Sequence, residues 1–395
     1  MKVHDAVYVL LDPGVPAYGH KGSSVHVQSV LRELVARSTG RVTLVATRIG
    51  GEAPAGLESV EVVEMKLPKT SGVAEREQAL IELDERTASL VADLVRERAA
   101  EASDATRPLV YQRYSLFSCQ VLEQAAAAGA HTVLEVNAPL VEEQATHREL
   151  HAAQAATDMT VRALRAAGTA IAVSSGVARW AEGESGRPVH TVPNGVDLAR
   201  YRVVTPRETA RPVVAFVGGF RPWHDPDQLV RAAAELGRRG TPVELLLVGD
   251  GPCLQQVLDL AASCQVAVRS VGLVAPEQVP EYLAQADIAV APYPKGEAYF
   301  SPLKVAEYLA SGLPTVLSAV ADLPDLLDPH EAHLVAPGDE PAFVDALGRL
   351  AANVGERARM GEAARAAAQR FTWSAVVDTI LSLEQVQSIG VHGDG

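Results

Sequence analysis

The chain has 395 residues, of which 48% are hydrophobic and 21% charged, so it can build more than one core and does not have a disordered composition. Its formal net charge of −14, without a basic cluster, argues against nucleic acid as a partner. The N-terminal apolar segment is too short for a signal peptide or a membrane span, and the three distant cysteines show no metal-binding spacing. We therefore expect a soluble, cytoplasmic protein of two domains, whose oligomeric state the sequence does not indicate.

Short apolar runs alternate with longer amphipathic segments in the first half of the chain. Strands are predicted at Ala6–Leu11, Val42–Ala46, Val60–Val63, Leu109–Tyr111, Thr132–Val136 and Ala170–Val173, with helices such as Val25–Ser38 and Ala74–Ala102. This alternation is typical of a parallel sheet with helices on both faces.

The connection after the first strand, from Gly14 to Ser24, is rich in glycine and serine and leads into a helix. Its candidate phosphate or substrate ligands are His20, Gly22, Ser23 and Ser24. It lacks a full GxGxxG pattern, so a flexible surface loop capped by Ser23 or Ser24 is an open alternative.

Glu135 and Asn137 follow directly on a predicted strand of the same domain. Their spacing of two places both side chains on one side, at the carboxyl edge of the sheet, where substrates of α/β proteins bind. They are candidate substrate ligands, and caps of the next helix are the alternative.

The regular pattern breaks down after Val192-Pro193-Asn194-Gly195-Val196-Asp197, and a second series of strands begins at Val213. These strands are predicted at Val213–Val217, Val243–Val248, Val268–Val271, Ile288–Ala291, Thr315–Leu317 and His333–Val335. We predict an N-terminal Rossmann-like domain at 1–198, a C-terminal one at 199–372, and a final helix at 373–395 that returns to the first domain and frays at its end.

Two glycine-rich loops follow the first two strands of the second domain. The first contains Gly219, Arg221 and His224, and the second contains Gly249 and Gly251; Gly272 follows the third strand. Arg221 and His224 are candidate contacts for a diphosphate, although an exposed arginine that is merely solvated is the alternative for Arg221.

A helix is predicted to begin at Ser301, with Pro302 as its first residue. Lys304 lies in the first turn, where the helix dipole disfavours a cation unless an anion is bound there. Ser301, Lys304 and Glu307 are spaced by three and can face one side, so they offer a hydroxyl and an ammonium to a phosphate and a carboxylate to sugar hydroxyls. The alternative is a solvated lysine and an exposed glutamate.

The order and spacing of Pro193-Asn194-Gly195-Val196-Asp197, Gly249-Asp250-Gly251-Pro252 and the Tyr299–Glu307 stretch resemble those of the retaining glycosyltransferases of family 4. The chain is most similar to the branch with a YFSPLK…EYLA segment. The resemblance implies the GT-B fold, an α/β architecture of two doubly wound Rossmann-like domains facing a central cleft. It also implies transfer of a sugar from a nucleotide diphosphate sugar, with retention of configuration, to a small-molecule acceptor such as a specialised metabolite or a glycoconjugate. Neither a metal nor another cofactor is implied.

The resemblance also assigns roles position by position. Glu307 corresponds to the glutamate that binds the nucleotide ribose, whereas Tyr299 stands where the family has another glutamate, so Glu297 is the alternative contact for the donor sugar. Lys304, Arg221 and Asn137 are the expected catalytic residues, with Asn137 in the place of a histidine near the sugar. The expected donor-binding residues are Glu307, Ser301, Pro302, Leu303, Phe300, Tyr299, Glu297, Gly219, His224, Gly249, Gly251 and Gly272, and those near the phosphate or acceptor are Gly22, Ser23, Ser24, His20 and Glu135.

Two other functions are compatible with the same residues. One is a GT-B enzyme that epimerises or hydrolyses a nucleotide sugar. The other is a non-catalytic nucleotide-sugar-binding protein, which the departures at Tyr299, Gly219 and Asn137 make worth testing.

Overall fold

The computed structural model describes residues 3–101, 107–147, 149–296 and 303–390. Within these ranges, no helix is both long enough and apolar enough to cross a membrane. The chain forms two compact units, Met1–Pro193 with Trp373–Gly395 and Asn194–Thr372. The division precedes Asn194 rather than following residue 198, because the Val196 N–H donates to the Phe371 carbonyl at 2.7 Å and Val196 packs in the core of the second unit.

The first unit contains a parallel sheet of seven strands among the described residues, in the order β3-β2-β1-β4-β5-β6-β7. Its elements are β1 (Ala6–Leu10), α1 (Gly22–Arg37), β2 (Val42–Ala46), β3 (Glu61–Glu64), α2 (Val73–Glu101), β4 (Leu109–Arg113), α3 (Gln120–Ala127), β5 (His131–Val136), α4 (Leu140–His147), α5 (Ala153–Ala166), β6 (Thr169–Ala172), α6 (Ser175–Ser185) and β7 (His190–Thr191). All residues of β1 are buried, because alternate side chains enter cores on opposite faces of the sheet.

The second unit repeats this organisation with a parallel sheet of six strands among the described residues, in the order β10-β9-β8-β11-β12-β13. Its elements are β8 (Val213–Val217), α7 (Pro226–Arg238), β9 (Glu244–Val248), α8 (Leu254–Ser263), β10 (Ala267–Gly272), α9 (Val279–Leu283), β11 (Ile288–Ala291), α10 (Leu303–Ala310), β12 (Thr315–Ser318), α11 (Leu323–Leu326), β13 (His333–Val335), α12 (Glu340–Ala352) and α13 (Val354–Ala367). The strand order reverses direction between β8 and β11, and open α/β sheets bind ligands beyond the carboxyl ends of the strands at such a point.

The last helix, α14 (Trp373–Gly390), packs in the first unit. Trp373, Val377 and Ile380 enter the apolar core that contains β1 and α1. Arg37 at the end of α1 donates from Nε to Asp378 at 3.0 Å and from Nη2 to the Ser374 hydroxyl at 2.7 Å. Residues 391–395, at the expected frayed end, lie outside the described ranges.

Candidate functional site

Helix α10 is held over the carboxyl edge of the second sheet by Tyr308. The Tyr308 hydroxyl accepts from the N–H of Val217, the last residue of β8, at 2.9 Å, and lies 3.3 Å from the carbonyl of Val290 in β11. It therefore links the helix to both strands at the reversal point. No role for Tyr308 was predicted from the sequence. Adjacent residues on a helix face different sides, so Tyr308 does not share the side of Glu307. In the structure, the side of Tyr308 faces the sheet.

Lys304 places a buried ammonium group at this edge. Its Nζ lies 4.6 Å from the centroid of the Phe216 ring and 5.5 Å from that of Tyr293, and it has no hydrogen-bond partner among the described residues. Burial lowers the pKa of Lys304 to about 7, against the opposing effect of the Glu307 carboxylate. The alternative of a solvated lysine is therefore wrong for its ammonium group, which needs an anionic partner to hold its charge.

Glu307 lies three residues further along α10, where the Tyr201 hydroxyl donates to its Oε1 at 2.8 Å. Burial raises the pKa of Glu307, whereas the bond from Tyr201 and the charges of Arg200 and Lys304 lower it. Tyr201 is itself buried, with 4% exposure, so it fixes the position of the carboxylate. No pattern in the sequence links two residues that are so far apart along the chain.

The glycine loops after β8 and β9 pack backbone against backbone. A Cβ atom on Gly249, whose φ is +127°, would lie 2.0 Å from the carbonyl oxygen of Gly218, and one on Gly251 would lie 2.7 Å from backbone atoms of Phe220. Gly249 also donates its N–H to the carbonyl of Gly272 at 2.8 Å. These glycines therefore have a structural reason to be present, and their expected contacts with a donor stay predictions.

His224 lies beside Lys304, where its ring contacts those of Phe216 and Tyr293 edge-on. Burial, followed by the charge of Lys304, lowers the pKa of His224 to about 4, so the ring is neutral near pH 7. Its Nδ1 is hydrogen-bonded to the Gly219 carbonyl, which can only accept, and the proton is therefore on Nδ1. Nε2 is then an acceptor, which suits a sugar hydroxyl better than the diphosphate contact predicted from the sequence.

Arg221 is exposed, and its guanidinium carbon lies 5.8 Å from the centroid of the Trp223 ring. Trp223 is itself 54% exposed, so the pair forms a cationic, aromatic surface beside the Gly219 turn. This position is compatible with both interpretations drawn from the sequence, a diphosphate contact and a solvated side chain.

Leu303, the first residue of α10, is 37% exposed. The other expected donor ligands on this loop, Glu297, Tyr299, Phe300, Ser301 and Pro302, lie outside the described residues.

At the corresponding edge of the first sheet, α1 begins earlier than predicted. Its first residue is Gly22 and its N-cap is Lys21, whose side chain makes no capping hydrogen bond. The alternative of a cap by Ser23 or Ser24 is therefore wrong: both lie in the first turn, and the Ser24 hydroxyl is buried without a partner among the described residues. His20 is exposed just before the helix.

The loop between β1 and α1 is held in place by Gln28, a residue that sequence reasoning missed. Its Nε2 donates to the carbonyls of Ala17 and Gly19 at 3.1 and 2.9 Å. Gln28 is 8% exposed, so this loop has a buried anchor instead of the flexibility that its composition indicates.

Glu135 and Asn137 differ in their surroundings although they share one side of β5. Glu135 is 3% exposed, and its Oε1 lies 2.5 Å from His26 Nε2. Burial alone would raise the pKa of Glu135, but His26 and Arg113 hold it below its usual value. The Nδ2 of Asn137, by contrast, is buried without a partner in the described part of the chain, so its amide can still donate to a ligand.

Among the described residues, one group of side chains could hold a metal ion: Asp328, His330 and Glu331. Glu331 is already engaged by Arg370, with contacts of 2.9 and 2.7 Å, and by the Asp328 N–H at 3.0 Å. This group does not include any residue predicted for the site.

Comparison with known proteins connects this geometry to a chemistry. Residues 211–353 match the family described as "Glycosyl transferases group 1", and this range contains Lys304, Glu307, Arg221 and both glycine loops. Over 226 residues the chain is 35% identical to a D-inositol 3-phosphate glycosyltransferase of Nocardia farcinica, covering 52% of this chain and 49% of that protein. A protein of the same name from Saccharomonospora viridis is 33% identical over 218 residues, covering 49% of each chain. The chain spans about half the length of the curated relatives it matches.

Solved structures resemble the chain over nearly its whole length. The sucrose-phosphate synthase of Thermosynechococcus elongatus aligns with a TM-score of 0.66 at 20% identity, covering 97% of this chain and 99% of that one. Anabaena Alr3699/HepE in complex with UDP aligns with a TM-score of 0.64 at 17% identity, covering 98% and 100%. The prediction of the GT-B fold, with two Rossmann-like α/β domains, is confirmed.

Proposed function

We propose that the protein is a retaining glycosyltransferase that moves a sugar from a nucleotide diphosphate sugar to a small-molecule acceptor. The observation that carries this proposal is that Lys304 and Glu307 lie three residues apart on α10, at the point where the strand order of the second sheet reverses. A buried ammonium that has no hydrogen-bond partner among the described residues suits an anionic group, and a fixed carboxylate three residues away suits a diol. A nucleoside diphosphate offers both groups on one molecule.

The diphosphate binds against Lys304 and the first turn of α10, with Arg221 as a second, exposed cation. Glu307 accepts hydrogen bonds from the ribose hydroxyls while Tyr201 holds its carboxylate in place. The names of the curated relatives support sugar transfer, and the UDP bound to Alr3699/HepE supports a nucleotide diphosphate donor.

The bond between the sugar and the diphosphate breaks during transfer, and negative charge grows on the departing phosphate. Prearranged cations stabilise that charge more than they stabilise the intact donor, which lowers the barrier. Lys304 and Arg221 supply positive charge from the protein itself. The acceptor hydroxyl forms the new bond to the sugar and gives its proton to the departing phosphate, so the reaction needs neither a cofactor nor a covalent enzyme intermediate.

The first unit contributes the acceptor side of the reaction. Just after β5, the Nδ2 of Asn137 has no partner among the described residues, and Gly22 and Ser23 begin a helix whose N-cap residue makes no side-chain capping bond. We propose that Asn137 contacts the transferred sugar and that the first turn of α1 contacts the donor phosphate or the acceptor.

The test measures nucleotide release from a panel of nucleotide sugars, beginning with UDP-glucose, with and without small polyol acceptors. A transferase releases nucleotide only when an acceptor is present, and NMR of the product shows a retained anomeric configuration. An epimerase converts the donor without an acceptor, a hydrolase releases nucleotide without one, and a binding protein releases none. Each of these three outcomes contradicts the proposal. An inverted product would contradict only the retaining mechanism.

A further inference from the structure

Trp223 is held on a short turn that adjoins the site of the second unit. The turn is a 3₁₀ helix closed by two backbone hydrogen bonds, from the His224 N–H to the Arg221 carbonyl at 2.9 Å and from the Asp225 N–H to the Pro222 carbonyl at 3.1 Å. Asp225 ends the turn with a φ of +39°, a conformation that is uncommon outside glycine and that clusters at functional sites. The Trp223 ring is nevertheless 54% exposed. A ring carried on an ordered backbone can bind a ligand without a large loss of conformational entropy.

Arg221 and His224 contact the Trp223 ring and restrict its position. The Arg221 guanidinium carbon lies 5.8 Å from the ring centroid, and the centroids of the His224 and Trp223 rings are 6.2 Å apart at an angle of 65°. The Arg221 side chain folds back over Gly219, where a Cβ atom would lie 3.8 Å from its Cγ and 3.9 Å from its Nε. Arg221 therefore packs between the glycine turn and the aromatic ring, and the rest of the ring surface is open to a ligand.

Lys304 adjoins both Glu307 and the turn that carries Trp223. Its Nζ lies 4.6 Å from the centroid of the Phe216 ring, and the His224 ring contacts the same phenylalanine with a centroid separation of 6.0 Å. Burial and then the charge of Lys304 lower the pKa of His224, and the same charge opposes the rise that burial causes in the pKa of Glu307. The ammonium group of Lys304 is therefore a neighbour of both side chains.

This arrangement follows the order in which the groups of a nucleotide sugar are linked. Its diphosphate joins the ribose on one side and the sugar on the other. If Glu307 binds the ribose and Lys304 the diphosphate, the sugar is the group that remains for the side of His224 and Trp223.

The two aromatic side chains match the two kinds of surface that a pyranose ring presents. The Nε2 of His224 is an acceptor and suits a hydroxyl at the edge of the sugar ring. The face of the sugar ring carries C–H groups, which pack well against a large apolar surface such as an indole. A diphosphate has no such apolar face.

We propose that the Trp223 ring packs against a C–H face of the transferred sugar and contributes to the choice of donor. This inference rests on the proposed function, because the roles of Glu307 and Lys304 place the sugar beside Trp223. The contact exists only when the sugar is present, so it stabilises the bound nucleotide sugar and not the bound nucleoside diphosphate.

The first test is tryptophan fluorescence of the full chain. The chain has three tryptophans, and Trp180 and Trp373 lie in the first unit, so Trp223 is the reporter of the second unit. The probes are UDP-glucose, GDP-mannose, ADP-glucose and dTDP-glucose, each compared with its own nucleoside diphosphate. We expect the nucleotide sugar that binds to change the emission, and its nucleoside diphosphate to bind without that change.

Two matched variants assign the signal. Trp223→Phe should abolish the change in emission, and its titration also corrects for absorption by the nucleotide. Trp180→Phe is the control and should retain the change, because Trp180 donates from Nε1 to Glu142 at 3.0 Å in the first unit. An equal change with the nucleoside diphosphate would place Trp223 against the base or the ribose and overturn the proposal. A bound nucleotide sugar that leaves the emission of Trp223 unchanged would also overturn it.

The second test separates contact with the sugar from a structural role. Calorimetry gives the dissociation constants of the nucleoside diphosphate and of the nucleotide sugar, and their ratio reports what the sugar adds to binding. In Trp223→Ala the advantage of the nucleotide sugar should fall about fivefold, and in Trp223→Phe about twofold, since phenylalanine keeps part of the aromatic surface. Equal losses for both ligands, or an unchanged ratio in Trp223→Ala, would contradict the assignment.

The two proposals fail in different ways. A nucleotide sugar that changes the emission of Trp223 but is never transferred to an acceptor would overturn only the proposed function. Sugar transfer at the wild-type rate and donor affinity in Trp223→Ala would overturn only this inference. Binding of none of the nucleotide sugars would overturn the proposed function and this inference with it.

Discussion

The two sheets share the order of their first six strands and present different side chains at their carboxyl edges. In the second unit, this edge carries the buried ammonium of Lys304, the exposed guanidinium of Arg221 and the carboxylate of Glu307. In the first unit, the edge carries the buried Glu135 beside His26, and the Asn137 amide, whose Nδ2 has no partner among the described residues.

The comparison shows that topology supplies the position of a site while the loop residues supply its chemistry. A parallel sheet brings the ends of its central strands together in both units, and the side chains that follow those strands differ entirely. The second edge, with a buried ammonium, suits an anion, and the first, with the Asn137 amide, suits hydroxyl groups, as expected if the donor diphosphate and the transferred sugar contact different units. The predictions below test this division.

Replacing the buried cation should have the largest effect. Lys304→Met removes charge that stabilises the departing diphosphate and keeps an apolar chain of similar length, so turnover should fall by about 10²–10³-fold. Steady-state rates with saturating donor measure this effect. Lys66→Met, at an exposed position beside Glu64, is the control. A wild-type rate in Lys304→Met would mean that the Lys304 ammonium group does not stabilise the departing diphosphate.

Neutralising the carboxylate of the same site should have the next largest effect. Glu307→Gln replaces a charged acceptor of two ribose hydroxyls by an amide, so nucleoside diphosphate affinity should fall by about 1.5–3 kcal/mol. Titration with UDP and the other common nucleoside diphosphates measures the loss. Glu362→Gln, at an exposed position of α13, should bind like the wild type. Unchanged affinity in a folded Glu307→Gln protein would remove this residue from the site.

The pH dependence of nucleotide binding should also distinguish the two edges. The pKa of Lys304 is about 7 in the unliganded protein, and a bound diphosphate raises it because the anion favours the charged form. The contribution of Lys304 to affinity is therefore complete below pH 7 and is lost as pH rises through the higher pKa of the complex. Affinity should fall by up to about tenfold per pH unit in that window, with proton uptake on binding.

His224 does not contribute to this profile, because its pKa of about 4 lies below the window. Lys304→Met should flatten the dependence above pH 7. A wild-type affinity that is constant from pH 7 to 9 would show that Lys304 does not change its charge when the nucleotide binds.

Much of the fold could be predicted from the sequence, because buried parallel strands are short apolar runs bounded by glycine and polar residues. The spacing of Lys304 and Glu307 was also informative, since positions three apart share a helix face whatever the tertiary structure. These features depend on local sequence alone.

Other features of the site depend on contacts between distant parts of the chain. Three contacts cannot be seen in the sequence. The backbone of Gly249 packs against that of Gly218, His224 Nδ1 is hydrogen-bonded to the Gly219 carbonyl, and the carboxylate of Glu135 contacts His26 Nε2. The alternative of a Ser23 or Ser24 cap on α1 was wrong: serine is a common N-cap, but here Lys21 is at that position, after a loop held by Gln28.

The smallest expected effect concerns such a distant contact, from Tyr201 to Glu307. Tyr201→Phe keeps the buried ring and removes the hydroxyl that donates to the carboxylate at 2.8 Å, so nucleotide affinity should fall by about 1 kcal/mol. If Tyr201 acts only by positioning Glu307, the same change in the Glu307→Gln background should cost much less, and a double-mutant cycle measures the difference. Thermal unfolding of each variant separates this effect from a general loss of stability. An equal loss in both backgrounds would mean that Tyr201 contributes to binding independently of Glu307, which would place the hydroxyl itself against the nucleotide.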